Sequence, residues 1–250
     1  MKIVRFIHEG AERYGIIEGS SVRLATGTPF DLLEPTGITI PLADLKLLSP
    51  TRPGKALCIG LNYRDHAVEF GLPIPKTPVV FIKPSTCVIA PLDTILRPAM
   101  SERVDFEAEL VVVIGKKAKD VPAEAAADYI LGYTCGNDVT ARDLQPKDGQ
   151  WTIAKSFDTF LPFGPWIETE LNPRAVGVRA ILNGEVKQAS NTSNLIFPVP
   201  ELIAFLSSVM TLEPGDIIMT GTPSGVGPMK AGDEIAVEIE GIGRLVNKVR

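Results

Sequence analysis

Three acids, Asp105, Glu107 and Glu109, stand two residues apart in the stretch RVDFEAELVVVIG. In a strand that spacing turns all three side chains to one face, where like charges repel unless something positive lies among them. The run behind them, Leu110 to Ile114, is apolar at every position, as in a strand covered on both sides. Acids entering a covered region need a partner. A hard divalent cation is one, because two carboxylates about 6–7 Å apart on a strand reach an ion about 2.0–2.6 Å from each oxygen. The wet face of an antiparallel strand is the other reading, since charged residues are mostly exposed.

The chain has two histidines, His8 and His66. His8 falls at an N-terminal turn and is expected on the surface. His66 lies in LNYRDHAVEFG, and a short helix there puts His66 and Glu69, three apart, on one face. A carboxylate on one imidazole nitrogen fixes the tautomer and raises the basicity of the other, which is a general base with its orienter; a surface His–Glu pair is the alternative. In GNDVTARDLQ, a helix continued from Asp138 aligns Arg142 and Gln145 with it. An acid, a guanidinium and an amide on one side suit a metal beside an anion, while Asp138 as a helix cap is equally consistent. In AKSFDTFLPFGP, Lys155 and Asp158 stand three apart among phenylalanines, so the lysine is expected to be partly desolvated and held by that carboxylate, or else to form a surface ion pair. The loop GTPSGVGP follows a strand, but no helix opens after it and no Lys-Ser or Lys-Thr closes it, which excludes a nucleotide cradle. Its N–H groups and the Thr222 hydroxyl remain suited to a carboxylate or oxyanion.

These groups need a frame. The first fifty residues contain KIVRFI, RYGIIE and SVRLA, short apolar segments separated by turns, which predict a small β module. LLSPTRPGK carries two prolines and a glycine, and places a boundary near Pro53, dividing the chain into 1–52 and 53–250. Strands dominate beyond it: KALCIGLNY, PVVFIKPS, the acidic strand, DYILGYTCGND, GDIIMTG, DEIAVEIEGIG and RLVNKV. PVPELIAFLSSVM is a helix, with Pro200 near its start and Leu202, Ile203, Phe205, Leu206 and Val209 on one broad side. Without the alternation of a βαβ array, a Rossmann fold or a β/α barrel is excluded, and 21 prolines and 22 glycines fit a turn-rich, mixed α+β fold dominated by strands.

With 250 residues the chain can bury a sizeable core. A net charge of −5 without any basic run argues against nucleic acid and anionic membranes as partners. No apolar run reaches membrane-spanning length, and the start is too short for a signal peptide, so a cytoplasmic protein is expected. Three cysteines, Cys58, Cys87 and Cys135, lie far apart with no C-x-x-C, which excludes a disulfide scaffold and a zinc–thiolate cluster and predicts small core residues.

Taken in order, GLNYRDHAVEFG, FIKPS, VDFEAELVVVIG, GYTCGNDVTARDLQ, KSFDTFLPFGP and GDIIMTGTPSGVG resemble the fumarylacetoacetate hydrolase family from about Leu57 to the C-terminus. The resemblance implies a β-roll of sheets and few helices behind the small N-terminal β module, usually as a homodimer. It implies Glu107, Glu109 and Asp138 as ligands of magnesium or manganese, with calcium a further hard ion that the all-oxygen set admits. Asp105 is not among the family's ligands and is expected to be a polar support. The implied catalytic dyad is His66 and Glu69, on a lid segment ordered by ligand, with Lys155 adding positive charge. The implied substrate contacts are Arg142, Gln145 and Thr222. The founding members carry a further acidic ligand upstream of their histidine that has no counterpart here, which favours the smaller bacterial-type members. The expected substrate is a small 2-oxo acid, and the expected outcomes are acylpyruvate hydrolysis, decarboxylation, or isomerisation of 2-hydroxyhepta-2,4-diene-1,7-dioate. Oxaloacetate decarboxylase or tautomerase activity, or a metal-loaded binding protein, are the alternatives.

Overall fold

The computed structural model describes residues 1–69, 71, 73–146 and 149–250. Apolar segments at the N-terminus form β1 (Lys2–His8), β2 (Ala11–Glu18) and β3 (Ser21–Gly27), an antiparallel meander that turns at Gly10 and Gly19. Both glycines have positive φ, a conformation open to glycine without steric cost. His8 ends β1 and is half-buried rather than exposed. The outer strand β4 (Leu33–Pro41) is largely exposed and carries Pro35 and Gly37, features that suit an edge. The short β5 (Lys46–Leu47) pairs with β1.

Past the proline-containing link come β6 (Ala56–Gly60), helix α1 (Arg64–Glu69), β7 (Val79–Lys83), β8 (Val88–Ile89) and β9 (Thr94–Ile95). The acidic stretch makes two strands, β10 (Val104–Phe106) and β11 (Ala108–Ile114). It is followed by β12 (Ile130–Asn137), β13 (Thr140–Ala141), helix α2 (Thr152–Lys155), β14 (Leu161–Glu168), β15 (Gly177–Leu182) and β16 (Glu185–Asn191). The expected helix is α3 (Val199–Val209): Leu202, Ile203 and Leu206 are buried, whereas Val209 is exposed at its end. The chain closes with β17 (Ile217–Met219), β18 (Gly227–Met229), β19 (Glu234–Ile239) and β20 (Gly243–Val249).

Among the described residues these strands form three sheets. The largest runs β4-β3-β2-β1-β14-β12-β11-β17-β6-β7, with β5 on β1 and β8 on β14. The N-terminal meander is therefore continuous with the rest, joined where Lys2 and Ile3 pair with Glu168 and Ile167. A three-stranded sheet β13-β10-β18 and a five-stranded sheet β16-β15-β19-β20-β9 pack around it. β11 is covered on both faces, as its composition predicts. Leu110, Val112 and Ile114 enter the core shared with α3 and β19, while Val111 and Val113 pack with Ile3, Cys58, Phe163 and Met219.

Two local expectations are corrected. Asp138 to Gln145 is not one helix: Asp138 follows the end of β12, β13 intervenes, and only Arg142–Leu144 forms a 3-10 turn. Pairing of Val104 and Asp105 with Ala141 and Thr140 holds that segment extended, and the sheet outweighs local helical spacing. The three acids also do not share one continuous strand. The chain changes sheets at Glu107, so Asp105 belongs to β10 and Glu109 to β11.

Candidate active site and metal centre

The change of sheets at Glu107 builds the site. The Asp138 N–H donates to the Glu107 carbonyl (2.9 Å), and the Asn137 side chain accepts from the Glu107 N–H (2.9 Å). Ala108 and Glu109 pair with Asn137 and Gly136. Two acids thirty-one positions apart are thereby set side by side, with Glu109 next along β11. Carboxylate oxygens of Glu107, Glu109 and Asp138 all lie within 4.8 Å of one another, and all three residues are buried. Three clustered oxygens from hard carboxylates fit a divalent cation such as Mg2+ or Mn2+.

Two buried lysines and the half-buried Arg142 bond to the triad. Lys155, at the end of α2, donates to Glu107 Oε2 (2.7 Å) and Asp138 Oδ2 (2.8 Å) and is 3% exposed. Its carboxylate partners are these, and not Asp158, which is exposed; α2 turns the ammonium inward while the chain at Asp158 faces solvent. Lys83, at the inner end of β7, donates to Asp138 Oδ1 (2.6 Å) and the Val139 carbonyl (3.0 Å) and is fully buried. Arg142 reaches three groups: Nε to Asp105 (2.9 Å), Nη1 to Gln145 (2.6 Å) and Nη2 to Glu107. Asp105 also takes two bonds from Arg103, so that it holds both arginines.

Among the described residues Glu109 is the triad member bonded to no lysine or arginine; its Oε2 accepts the Gly221 N–H (2.7 Å). The electrostatics follow. Burial, opposed by the stronger combined pull of Lys155 and Arg142, leaves Glu107 at about 2, with a smaller contribution from His66, which places the imidazole in electrostatic reach. Burial, then the charges of Asp138 and Glu107, push Glu109 well above the ordinary carboxylate range. Burial opposes the charge on Lys155, but Asp138 and Glu107 outweigh it and keep the ammonium protonated. The site thus holds one carboxylate in need of positive charge, which is what a divalent cation supplies.

On α1, His66 Nδ1 lies 3.1 Å from Glu69 Oε2, and Glu69 Oε1 accepts the Gly225 N–H (3.1 Å). That contact selects the tautomer with the proton on Nδ1 and Nε2 as the basic nitrogen. Thr222 is buried; its hydroxyl donates to the Ala108 carbonyl (3.0 Å) and accepts from Gln188 (2.9 Å). Glu107, Asp138, Lys155, Arg142 and Gln145 are thus linked by side-chain bonds, His66 and Glu69 bond to each other, and Glu109 and Thr222 are tied to the backbone of Gly221 and Ala108.

The structure adds Lys83 and Gln188 to these residues. A cation that closes the apolar strand VVFIK and falls within the motif FIKPS is a sign of the first, whereas nothing marks a glutamine in EVKQASN as buried. The cysteines are free and buried. Burial pushes their thiols up, Cys87 to about 11 and Cys135 to about 12, and Cys58 likewise well above its ordinary value, so they are inert core residues.

Residues 55–250 match the model of the fumarylacetoacetate (FAA) hydrolase C-terminal family. The chain belongs to the fumarylacetoacetate hydrolase family. Residues 1–50 of this family member match a separate model, Rv2993c-like, N-terminal. The family member is 44% identical over 222 residues to the mitochondrial oxaloacetate tautomerase Fahd2a of Rattus norvegicus, covering 84% of this chain and 71% of that one. It superposes on the 2-hydroxyhepta-2,4-diene-1,7-dioate isomerase of Mycobacterium marinum with a TM-score of 0.93 at 44% identity, over 100% of this chain and 98% of that one. A maleylpyruvate hydrolase from Sphingobium sp. SYK-6, in complex with manganese (II) ion and pyruvate, matches with a TM-score of 0.85 at 31% identity, with the same coverage. The protein is therefore an enzyme of this fumarylacetoacetate hydrolase group, with the fold of its isomerases and hydrolases. No helix among the described residues is long and apolar enough to cross a membrane.

Proposed function

We propose that the protein is a divalent-metal-dependent enzyme that moves a proton between the enol and keto forms of a 2-oxo diacid. That step is common to tautomerisation of oxaloacetate and isomerisation of 2-hydroxyhepta-2,4-diene-1,7-dioate. The observation carrying this reading is a single oriented base, His66 on Glu69, beside a buried triad of carboxylates and a protonated lysine. A cation held by Glu107, Glu109 and Asp138, with Mg2+ preferred and Mn2+ next, would supply Lewis acidity to the substrate's carboxylate and 2-oxo oxygens.

The chain's own residues do the rest. His66 Nε2 takes the proton and returns it to the neighbouring carbon or oxygen, while Glu69 steadies the imidazolium; such general-base help is worth about 10²–10⁴-fold. Lys155 stabilises the negative charge that grows on the 2-oxo oxygen. Arg142 and Gln145 form the adjoining wall and address a substrate carboxylate with their remaining donors. Thr222, tied to Ala108 and Gln188, sets the backbone of the glycine-rich loop facing the substrate. Charge supports a diacid. Among the described residues Asp105, Glu107, Glu109 and Asp138 are matched by Lys83, Arg103, Arg142 and Lys155, so a bound divalent ion would leave a surplus suited to a dianion. The free cysteines fit a reducing compartment such as the cytoplasm, and we propose a homodimer on the family resemblance.

A second reading is C–C bond hydrolysis, with His66 activating water; the hydrolase from Sphingobium favours it. An NMR time course in D2O with oxaloacetate, 2-hydroxyhepta-2,4-diene-1,7-dioate and acetylpyruvate separates the two. Deuterium entering carbon without cleavage is proton transfer, acetate with pyruvate is hydrolysis, and pyruvate with carbon dioxide is decarboxylation. Chelator should stop the reaction, and His66→Ala should slow it by about 10²–10⁴-fold. Unchanged turnover in His66→Ala removes the dyad. No conversion of any substrate, with oxalate still bound in a Mg2+-dependent way, turns the reading into that of a 2-oxo-acid binding protein.

A further inference from the structure

The dyad sits on a helix of only six residues, too short to hold itself in water. Its approach is firmly fixed. Asn62 donates to the Phe197 and Thr220 carbonyls (3.0 and 2.8 Å) and accepts from the Phe197 N–H (2.8 Å), and Tyr63 bridges to Leu195. Its far end is tied by Glu69 to Gly225. Its first turn is tied through Asp65. One oxygen of Asp65 accepts the His66 N–H (2.8 Å), and the other accepts the Ser190 hydroxyl (2.6 Å). The Asn194 amide donates to Ser190 Oγ (3.0 Å), which turns the serine's own hydrogen toward Asp65. A short bond to an ionised acceptor is among the stronger hydrogen bonds.

Ser190 lies on β16, two residues from Gln188 and on the same face. Gln188 is buried and accepts from the Ala108 N–H (2.9 Å), between the ligands Glu107 and Glu109, while donating to Thr222 and Pro223. One strand face thus holds the metal strand at one residue and the dyad helix at the next.

We propose that Ser190, acting through Asp65, is a positioning residue for His66, setting the imidazole against the triad by way of β16. The inference rests on the dyad assigned above. Removing the hydroxyl leaves Asp65 and Asn194 without their common partner and frees the first turn of α1, while Gln188 still holds the metal strand. A displacement of about 1 Å at a reacting group costs up to roughly 10²-fold in rate.

The test uses the full chain with Mg2+, as wild type and as Ser190→Ala, Ser190→Thr, Asp65→Ala and His66→Ala. Two readouts are taken: deuterium exchange into the methyl group of pyruvate in D2O, and the imidazole NMR signals, which are tractable because the chain has only two histidines. Ser190→Ala and Asp65→Ala should slow exchange by about 10- to 100-fold and shift or broaden the His66 signals, leaving those of His8 in place. The Mg2+-dependent rise in Tm and the oxalate affinity should stay within about twofold, and Ser190→Thr should restore exchange. Wild-type exchange and His66 signals in Ser190→Ala, with His66→Ala inactive, overturn the latch alone. A parallel loss of Mg2+-dependent stabilisation shows a general structural role and overturns it too. Exchange surviving in His66→Ala, or absent from the wild type while the His66 signals ignore Ser190→Ala, sinks the dyad reading and the latch together.

Discussion

At the residue scale the site is a problem in charge placement. Glu107 is held by Lys155 and Arg142, and Asp138 by Lys83 and Lys155, whereas among the described residues Glu109 accepts only a backbone N–H from Gly221. Burying a carboxylate among anions is costly, and the cost falls on Glu109. A divalent ion relieves it, so metal binding should stabilise the folded protein measurably. At a concentration 100 times its Kd the ion adds about 2.7 kcal/mol. With Glu107→Gln and Glu109→Gln combined, the Mg2+-dependent rise in Tm should vanish in differential scanning calorimetry. A rise equal to that of the wild type would place the ion elsewhere.

At the level of elements, a loop has to pass very close to β11, the strand that carries Glu109. Gly221 has φ +101°, and a Cβ there would lie 2.8 Å from Asn62 Cβ and 3.1 Å from the Ile59 carbonyl. Only glycine brings its N–H to Glu109 without pushing the Asn62 anchor aside. Gly221→Ala should therefore cost more than the usual surface glycine change, on the order of 2–4 kcal/mol in urea unfolding without metal. It should also weaken Mg2+-dependent stabilisation, because the same clash moves the Glu109 partner. A loss of under about 1 kcal/mol would show that the loop relaxes freely.

At the scale of the whole molecule, the N-terminal meander lengthens the main sheet and contributes no side chain to the triad, the dyad or their lysines. Ile3 is buried in the core formed by Ala56, Phe163 and Ile217, and its burial is worth about 2 kcal/mol. Removing residues 1–50 uncovers that core and the pairing edge of β14 at Ile167 and Glu168. The truncated chain should have a lower Tm and aggregate on concentration, while its soluble fraction keeps Mg2+-dependent stabilisation. An unchanged Tm by calorimetry would make the meander an independent appendage.

Residue types and local spacing already carry most of the elements and the candidate groups of the site. Apolar runs between turn residues mark the meander, β11 and α3, because burial and local backbone preference act over a few neighbouring residues. The His66–Glu69 pair was legible for the same reason, being three apart on one short helix. Only the tertiary structure decided who meets whom. Helical spacing from Asp138 to Arg142 and Gln145 was overruled by pairing with β10, and Lys155 chose Glu107 and Asp138 over its sequence neighbour Asp158. Lys83, Gln188 and Ser190 reach the site from strands far away in the chain. No local period encodes such contacts; they exist because the sheets fold onto one another and most buried polar groups find partners there.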